Sequence, residues 1–387
     1  MKLITKRECV HFKGDIPCRY HKTHKIKDCE ECQYYKSYEK KILIIKIGAL
    51  GDVIRTTSLL HAIKKKYPNS HISWLIKENS MDVLEGHKFV DKVLVYDADV
   101  LARLQIERFD IVMNLDKDMP STAIASIVKA DEKLGFGSDE NGKTIFFNPE
   151  AEYLYENGLN DDLNRENQKN YQEMMFESVK LQYDNEEYSV ALKNVNPDFA
   201  TNFLKKYDIK ADDLVIGVNT GASPRWPLKR WHLEKFSELI DKLSYELNAK
   251  VILLGGLFEV EQNYDLYREH LIKSAYEIGS KTKIPIIDAT KYNNLSEFSY
   301  LVNLCDIIIT GDTAPMHIGI AMKKPVVVLF GPTSDREIDL YGRGIKIVPK
   351  ELDCLGCYNT KCDKKPNCMD LISVQEVFDA VTSLVRK

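Results

Sequence analysis

Hydrophobic and polar positions fall along this chain in repeating blocks. Short apolar runs are followed by longer stretches whose apolar residues lie three or four apart. The first run, Lys41-Ile42-Leu43-Ile44-Ile45-Lys46-Ile47, has the length and β-branched content of a buried strand. Gly48-Ala49-Leu50-Gly51-Asp52 turns the chain. Val53 to Lys66 then reads as a helix with apolar residues at 53, 54, 59, 60 and 63, stopped by Pro68-Asn69. His71–Ile76, Val93–Tyr96 and Phe109–Asn114 are further strands with helical patterns between them. Residues 138–170 are polar, with loops and hairpin pieces expected, and Tyr171 to Leu181 reads as a helix. The composition turns polar again near 184–196, where a domain boundary is expected.

The alternation then resumes. Strands are predicted at Leu214–Val218, Val251–Leu254, Ile284–Ile287, Ile307–Thr310 and Val326–Phe330. Helices are predicted at Trp231–Leu247, Glu259–Ile278 and Ser373–Val385, the last with Ser373 as N-cap. Strand–helix alternation of this kind makes an α/β protein whose parallel sheets are covered on both faces. The expected division is an appendage over 1–39, a first domain over 40–188, a second over 189–372 and a terminal helix over 373–387.

Bulk composition narrows the class. The chain has 387 residues, 44% hydrophobic and 29% charged, with a net charge of −4. This excludes a generic nucleic-acid binder. No apolar run approaches the ~20 residues of a membrane span, and the N-terminus lacks a signal-peptide core, so a cytoplasmic protein is expected. Residues 1–41 carry eleven basic against six acidic side chains. That segment could meet an anionic lipid or acceptor, or be a solvated basic arm. Nine cysteines are present. Cys305 sits in an apolar context and reads as core packing. The others form two groups, Cys9, Cys18, Cys29 and Cys32, and Cys354, Cys357, Cys362 and Cys368, each containing a C-x-x-C pair. In a cytosolic chain that spacing suggests metal ligation, such as a structural zinc, more than disulfides.

The candidate chemistry lies at strand ends. Gly311-Asp312-Thr313 joins a buried strand to a helix, placing backbone N–H groups, a hydroxyl and a carboxylate where a phosphate and its sugar can bind. Gly331-Pro332-Thr333 is a second turn at the same sheet end. Asp52 follows a G-x-x-G turn, which is not the dinucleotide fingerprint. Its carboxylate is either a functional group at the sheet edge or a helix N-cap. Asn219 to Trp231 combines small residues, hydroxyls, cations and two indoles, the makings of a phosphate site or of an ordinary surface loop. Glu259 follows Gly255-Gly256 and suits either a ribose or a helix N-terminus.

Taken together, Gly51-Asp52, Gly221-Ala222-Ser223 with Trp226-Pro227-Leu228-Lys229-Arg230-Trp231, Gly255-Gly256, and Gly311-Asp312-Thr313-Ala314-Pro315-Met316-His317 resemble the heptosyltransferase-type glycosyltransferases (family 9). The resemblance runs from about Lys41 to the end. It implies a GT-B fold, two Rossmann-like domains facing a cleft, with the acceptor on the first and the nucleotide sugar on the second. It implies that Asp52 is the general base, with Gly51 and Arg55 on the acceptor side. Thr220 and Ser223 would lie beside the diphosphate and Lys229 would bind it. Glu259 would hold the ribose and Asp312 the transferred sugar. Thr313 and Ala314 would offer N–H groups, and His317 would sit near the diphosphate or sugar. Pro315 departs from the family pattern and removes one donor.

The implied reaction is inverting transfer, with ADP-heptose as donor and an anionic glycan or glycolipid of the lipopolysaccharide-core kind as acceptor. No cofactor is required for catalysis, and peripheral contact with the inner membrane face is expected. Another nucleotide sugar, or a GT-B-like sugar-nucleotide epimerase, is the alternative. The resemblance also implies that the terminal helix returns to the first domain.

Overall fold

The computed structural model describes residues 6–191, 195–276, 286–291, 294–350 and 352–386. The chain divides into two compact units: residues 1–48, 58–152 and 175–186, and residues 49–57, 153–174 and 187–387. In the first unit the strands are β1 (Lys40–Ile45), β2 (Ser70–Ile76), β3 (Lys92–Val95), β4 (Arg108–Asn114), β5 (Lys129–Ser138) and β6 (Thr144–Phe146). Their order is β3-β2-β1-β4-β5-β6, parallel except that β6 runs antiparallel to β5. Leu43, Ile45, Leu75, Phe109 and Val112 form a core on one face.

The sequence pattern missed β5, because Lys129, Asp131, Glu132 and Lys133 dilute its apolar positions. Gly135 is needed there. Its φ is +82°, and a Cβ would come 2.0 Å from the carbonyl of Asn114. The stretch 138–170 does contain the expected hairpin, but also short helices at Glu152–Asn157 and Asp161–Glu166.

The second sheet holds β7 (Val215–Asn219), β8 (Lys250–Leu254), β9 (Ile286–Asp288), β10 (Ile307–Gly311), β11 (Val326–Leu329) and β12 (Gly344–Ile347). Its order is β12-β11-β10-β7-β8-β9, all parallel. Strand order reverses between β7 and β10, and their carboxyl ends lie level, with Ile309 opposite Val218. That is where open α/β sheets bind ligands. Cys305 is fully buried, as its context predicts. Residues 284–285 and 277–278 of the predicted strand and helix, and 192–194 of the expected boundary, lie outside the described residues.

Two expectations are corrected. The helix foreseen over Val53–Lys66 is two helices, Leu50–Thr56 and Leu59–Lys66. The hydroxyls of Thr56 and Thr57 donate back to the carbonyls of Asp52 and Ile54, which loosens the helical ladder. The terminal helix Val374–Val385 buries Val377, Phe378 and Val381 in the second core, against the Leu233–Leu247 helix and β10 to β12. Trp231 donates its indole N–H to the carbonyl of Ile372 and anchors the approach. Ser373 is the N-cap, with Glu376 completing a capping box. Among the described residues no helix is long and apolar enough to cross a membrane.

Candidate active site

The segment that carries Asp52 starts from a fixed strand exit. Asp116 accepts from the N–H groups of Ile47 (2.7 Å) and Gly48 (2.9 Å) and pairs with the buried Lys46 ammonium at 2.7 Å. The Leu50–Thr56 helix follows. Its N-cap is Ala49, which makes no side-chain cap, so Asp52 sits inside the first turn and the N-cap reading falls. Although 40–188 was expected to form one domain, residues 49–57 group with the second unit. The reason is local. The helix packs against the Ala314–Ala321 helix, and a Cβ at Gly51 would lie 2.5 Å from the His317 ring. Only glycine lets the two helices approach that closely.

Around Asp52 the groups are tightly set. Its carboxylate takes a 2.8 Å ion pair from Arg55, the two side chains being 33% and 16% exposed. The Arg55 guanidinium lies over the Tyr171 ring, 3.4 Å from its centroid. Burial disfavours the charge on Arg55, but Asp52 first, then Tyr171, Glu337 and Tyr188, together outweigh that cost, so Arg55 stays cationic. His317 is buried, with its ring 5.9 Å from that of Tyr188. Burial, and then the charge of Arg55, pushes its pKa down to about 4. At neutral pH it is an uncharged imidazole, and its Nδ1 has no hydrogen-bond partner among the described residues.

The ends of β7 and β10 carry the second half of the site. Lys229 donates to the Asp312 carboxylate at 2.7 Å and to its carbonyl at 3.1 Å, with both side chains mostly buried. Burial alone would raise the Asp312 pKa, and the Lys229 ammonium overcomes this and holds it below the usual range. Thr313 begins the Ala314–Ala321 helix in extended conformation. Its hydroxyl meets Thr310 at 3.1 Å and the Asn219 amide at 3.4 Å. Pro315 occupies the first turn of that helix and contributes no N–H. Ala314 is half-buried beside it.

The remaining predicted residues lie along the same sheet end. Thr220 is buried, its hydroxyl bonded to Asn263 and accepting from Gln262 at 2.8 Å. Ser223 is exposed and accepts from the N–H of Arg225 at 3.3 Å. Glu259 is buried and accepts from the N–H of Gly256 at 2.8 Å. Its other oxygen lies against Gly221, where a Cβ would come within 2.1 Å. Burial raises its pKa. A cavity of about 420 Å³ opens between Thr220, Gln262, Arg230 and His232.

Cys354, Cys357, Cys362 and Cys368 line one cavity of about 410 Å³ with Leu228 and Pro332. Burial pushes the Cys368 thiol up to about 11. Cys9, Cys18, Cys29 and Cys32 are half-buried. Among the described residues no three Cys, His, Asp or Glu side chains are grouped so as to hold an ion. Sequence reasoning missed Tyr171, Tyr188 and Glu337, which surround Arg55. No motif flags them, and Tyr188 lies in the polar stretch read as a boundary.

Two Rossmann-like units with parallel sheets, and a cationic turn at the switch point of the second, define a GT-B glycosyltransferase. Residues 99–367 match glycosyltransferase family 9 (heptosyltransferase), and the chain belongs to that family. It is 24% identical to lipooligosaccharide heptosyltransferase 2 of Campylobacter jejuni over 89% of this chain and 99% of that one. Among solved structures it resembles a family 9 glycosyltransferase of Veillonella parvula, with a TM-score of 0.69, 22% identity and coverage of 90% and 98%. It also resembles the ADP-heptose lipopolysaccharide heptosyltransferase II of E. coli, with a TM-score of 0.62, 19% identity and coverage of 89% and 98%.

Proposed function

We propose that this glycosyltransferase moves a heptose from ADP-heptose to a lipopolysaccharide-core-like acceptor, with inversion at the anomeric carbon. The observation that carries the reading is the pairing on two touching helices. Asp52 stands on one, and the other begins at the Asp312–Lys229 turn. Asp52 takes the proton of the acceptor hydroxyl as that oxygen bonds to the anomeric carbon. The bond from that carbon to the diphosphate oxygen breaks on the opposite face, and its electron pair leaves with ADP. Lys229 and the N–H groups of Thr313 and Ala314 stabilise the charge gained by the diphosphate. Asp312 orients the sugar. Glu259 accepts from the ribose, and Ser223 closes the loop over the phosphates. These groups carry the charge without a divalent cation. ADP-heptose is favoured because an E. coli relative of the same fold is an ADP-heptose enzyme. The basic N-terminal stretch suits a glycolipid acceptor at the inner membrane face.

The test is transfer by an Asp52→Asn variant, with ADP binding followed separately. Transfer should fall by roughly a hundredfold or more while ADP binding persists. Unimpaired transfer would remove Asp52 as base, and isomerised nucleotide sugar without transfer would favour an epimerase. A structural metal at the cysteines is part of the proposal. Elemental analysis should find an ion that Cys357→Ser loses, and metal-free protein would end that part.

A further inference from the structure

We infer that Arg55 is a positioning residue that holds Asp52 at rest and exchanges it for an anionic group of the arriving acceptor, a carboxylate or a phosphate. This rests on Asp52 being the base. A carboxylate bound to a guanidinium at 2.8 Å is a poor proton acceptor, because the ion pair favours its charged form. The resting arrangement therefore opposes the reaction. Something must draw the guanidinium away as the acceptor hydroxyl arrives.

The surroundings indicate what can do so. Tyr171 lies under the guanidinium plane, so the flat face can stay on the ring while the edge that now holds Asp52 turns to another oxygen pair. A planar fork of this kind matches a carboxylate or phosphate oxygen pair. The titratable groups facing Arg55 are Asp52 on its own helix, Tyr171, Tyr188, Glu337 and Tyr358 from the segments around it, and His317 from the facing helix. His317 is neutral there, held by burial to a pKa of about 4. An incoming anion thus meets the Arg55 cation without a second cation on His317 to compete for it. It displaces Asp52, which then regains basicity next to the bound hydroxyl. Neutral acceptors would leave the lock closed.

The experiment compares wild type, Arg55→Lys and Arg55→Gln on an anionic lipid-linked oligosaccharide acceptor. The same acceptor is used with its carboxylates methyl-esterified, and again with its phosphates removed. ADP-induced thermal shift monitors folding and donor binding. In wild type, masking the recognised anion should raise the acceptor KM by roughly tenfold or more, and the arm that does so identifies carboxylate or phosphate. In Arg55→Gln that masking should have no further effect, with Arg55→Lys in between. The acid limb of kcat should lie above that of kcat/KM in wild type, because Arg55 leaves Asp52 only in the complex. The two limbs should coincide in Arg55→Gln. Equal losses on charged and masked acceptors, or limbs that do not move, would overturn the exchange. Should Arg55→Gln fail to fold, Arg55→Lys carries the same comparison. If Asp52→Asn is inactive while Arg55 variants ignore acceptor charge, only this inference fails. If Asp52→Asn is active, the base assignment fails first.

Discussion

Single residues set the site by contact as much as by charge. Gly51 shows this. A methyl group there meets the His317 ring at 2.5 Å, so Gly51→Ala should cost about 1–3 kcal/mol by overpacking and displace Asp52. Urea unfolding together with transfer assays would show both losses, and a fully active, equally stable variant would refute the close approach. His317 sets an acid limit. Its folded pKa is about 4 against 6.5 for the free group, so between those values the unfolded chain binds the extra proton. Stability from its neutral burial is therefore present above pH 6.5 and lost as pH falls towards 4, by up to about 3 kcal/mol. His317→Gln should flatten that limb of the stability–pH curve, with Asp312 contributing a further loss at lower pH. At Lys229, substitution by Met strands the mostly buried Asp312 charge and should cost about 3 kcal/mol together with donor affinity. Calorimetry with ADP measures both.

Elements explain which parts of the pattern were legible. Buried parallel strands such as Ile42–Ile45 and Val326–Leu329 are continuous apolar runs, because both faces are covered, and the run shows in the sequence. β5 is not such a run, since it borders the antiparallel β6 and carries charges along its length. The break at Thr56-Thr57 was hidden because both flanking segments keep helical periodicity. Only the back-bonded hydroxyls separate them. The terminal helix was visible as amphipathic with its cap, but periodicity states only that a face is buried, not against what. Phe378 is 6% exposed within the second core, so Phe378→Ala should destabilise by about 3 kcal/mol. Denaturant unfolding checks this, and a negligible change would mean that the helix is not part of that core.

At the scale of the molecule, a donor bound as proposed should stabilise the fold by mass action. A panel of ADP-, GDP-, UDP- and dTDP-sugars should give the largest thermal shift with ADP-heptose, about 2.7 kcal/mol at a hundred times Kd. A larger shift with another nucleotide would reassign the donor. The sequence by itself determined the two α/β sheets, the strand-end turns and the motif set that places the chain in its family, because these depend on local hydrophobic period and turn chemistry. Tertiary structure alone decided that residues 49–57 join the second unit, that Asp52 meets Arg55 on a tyrosine face, and that His317 is neutral. Each of these depends on which distant segments share a few ångströms of buried space, and burial and charge proximity leave no period in a sequence.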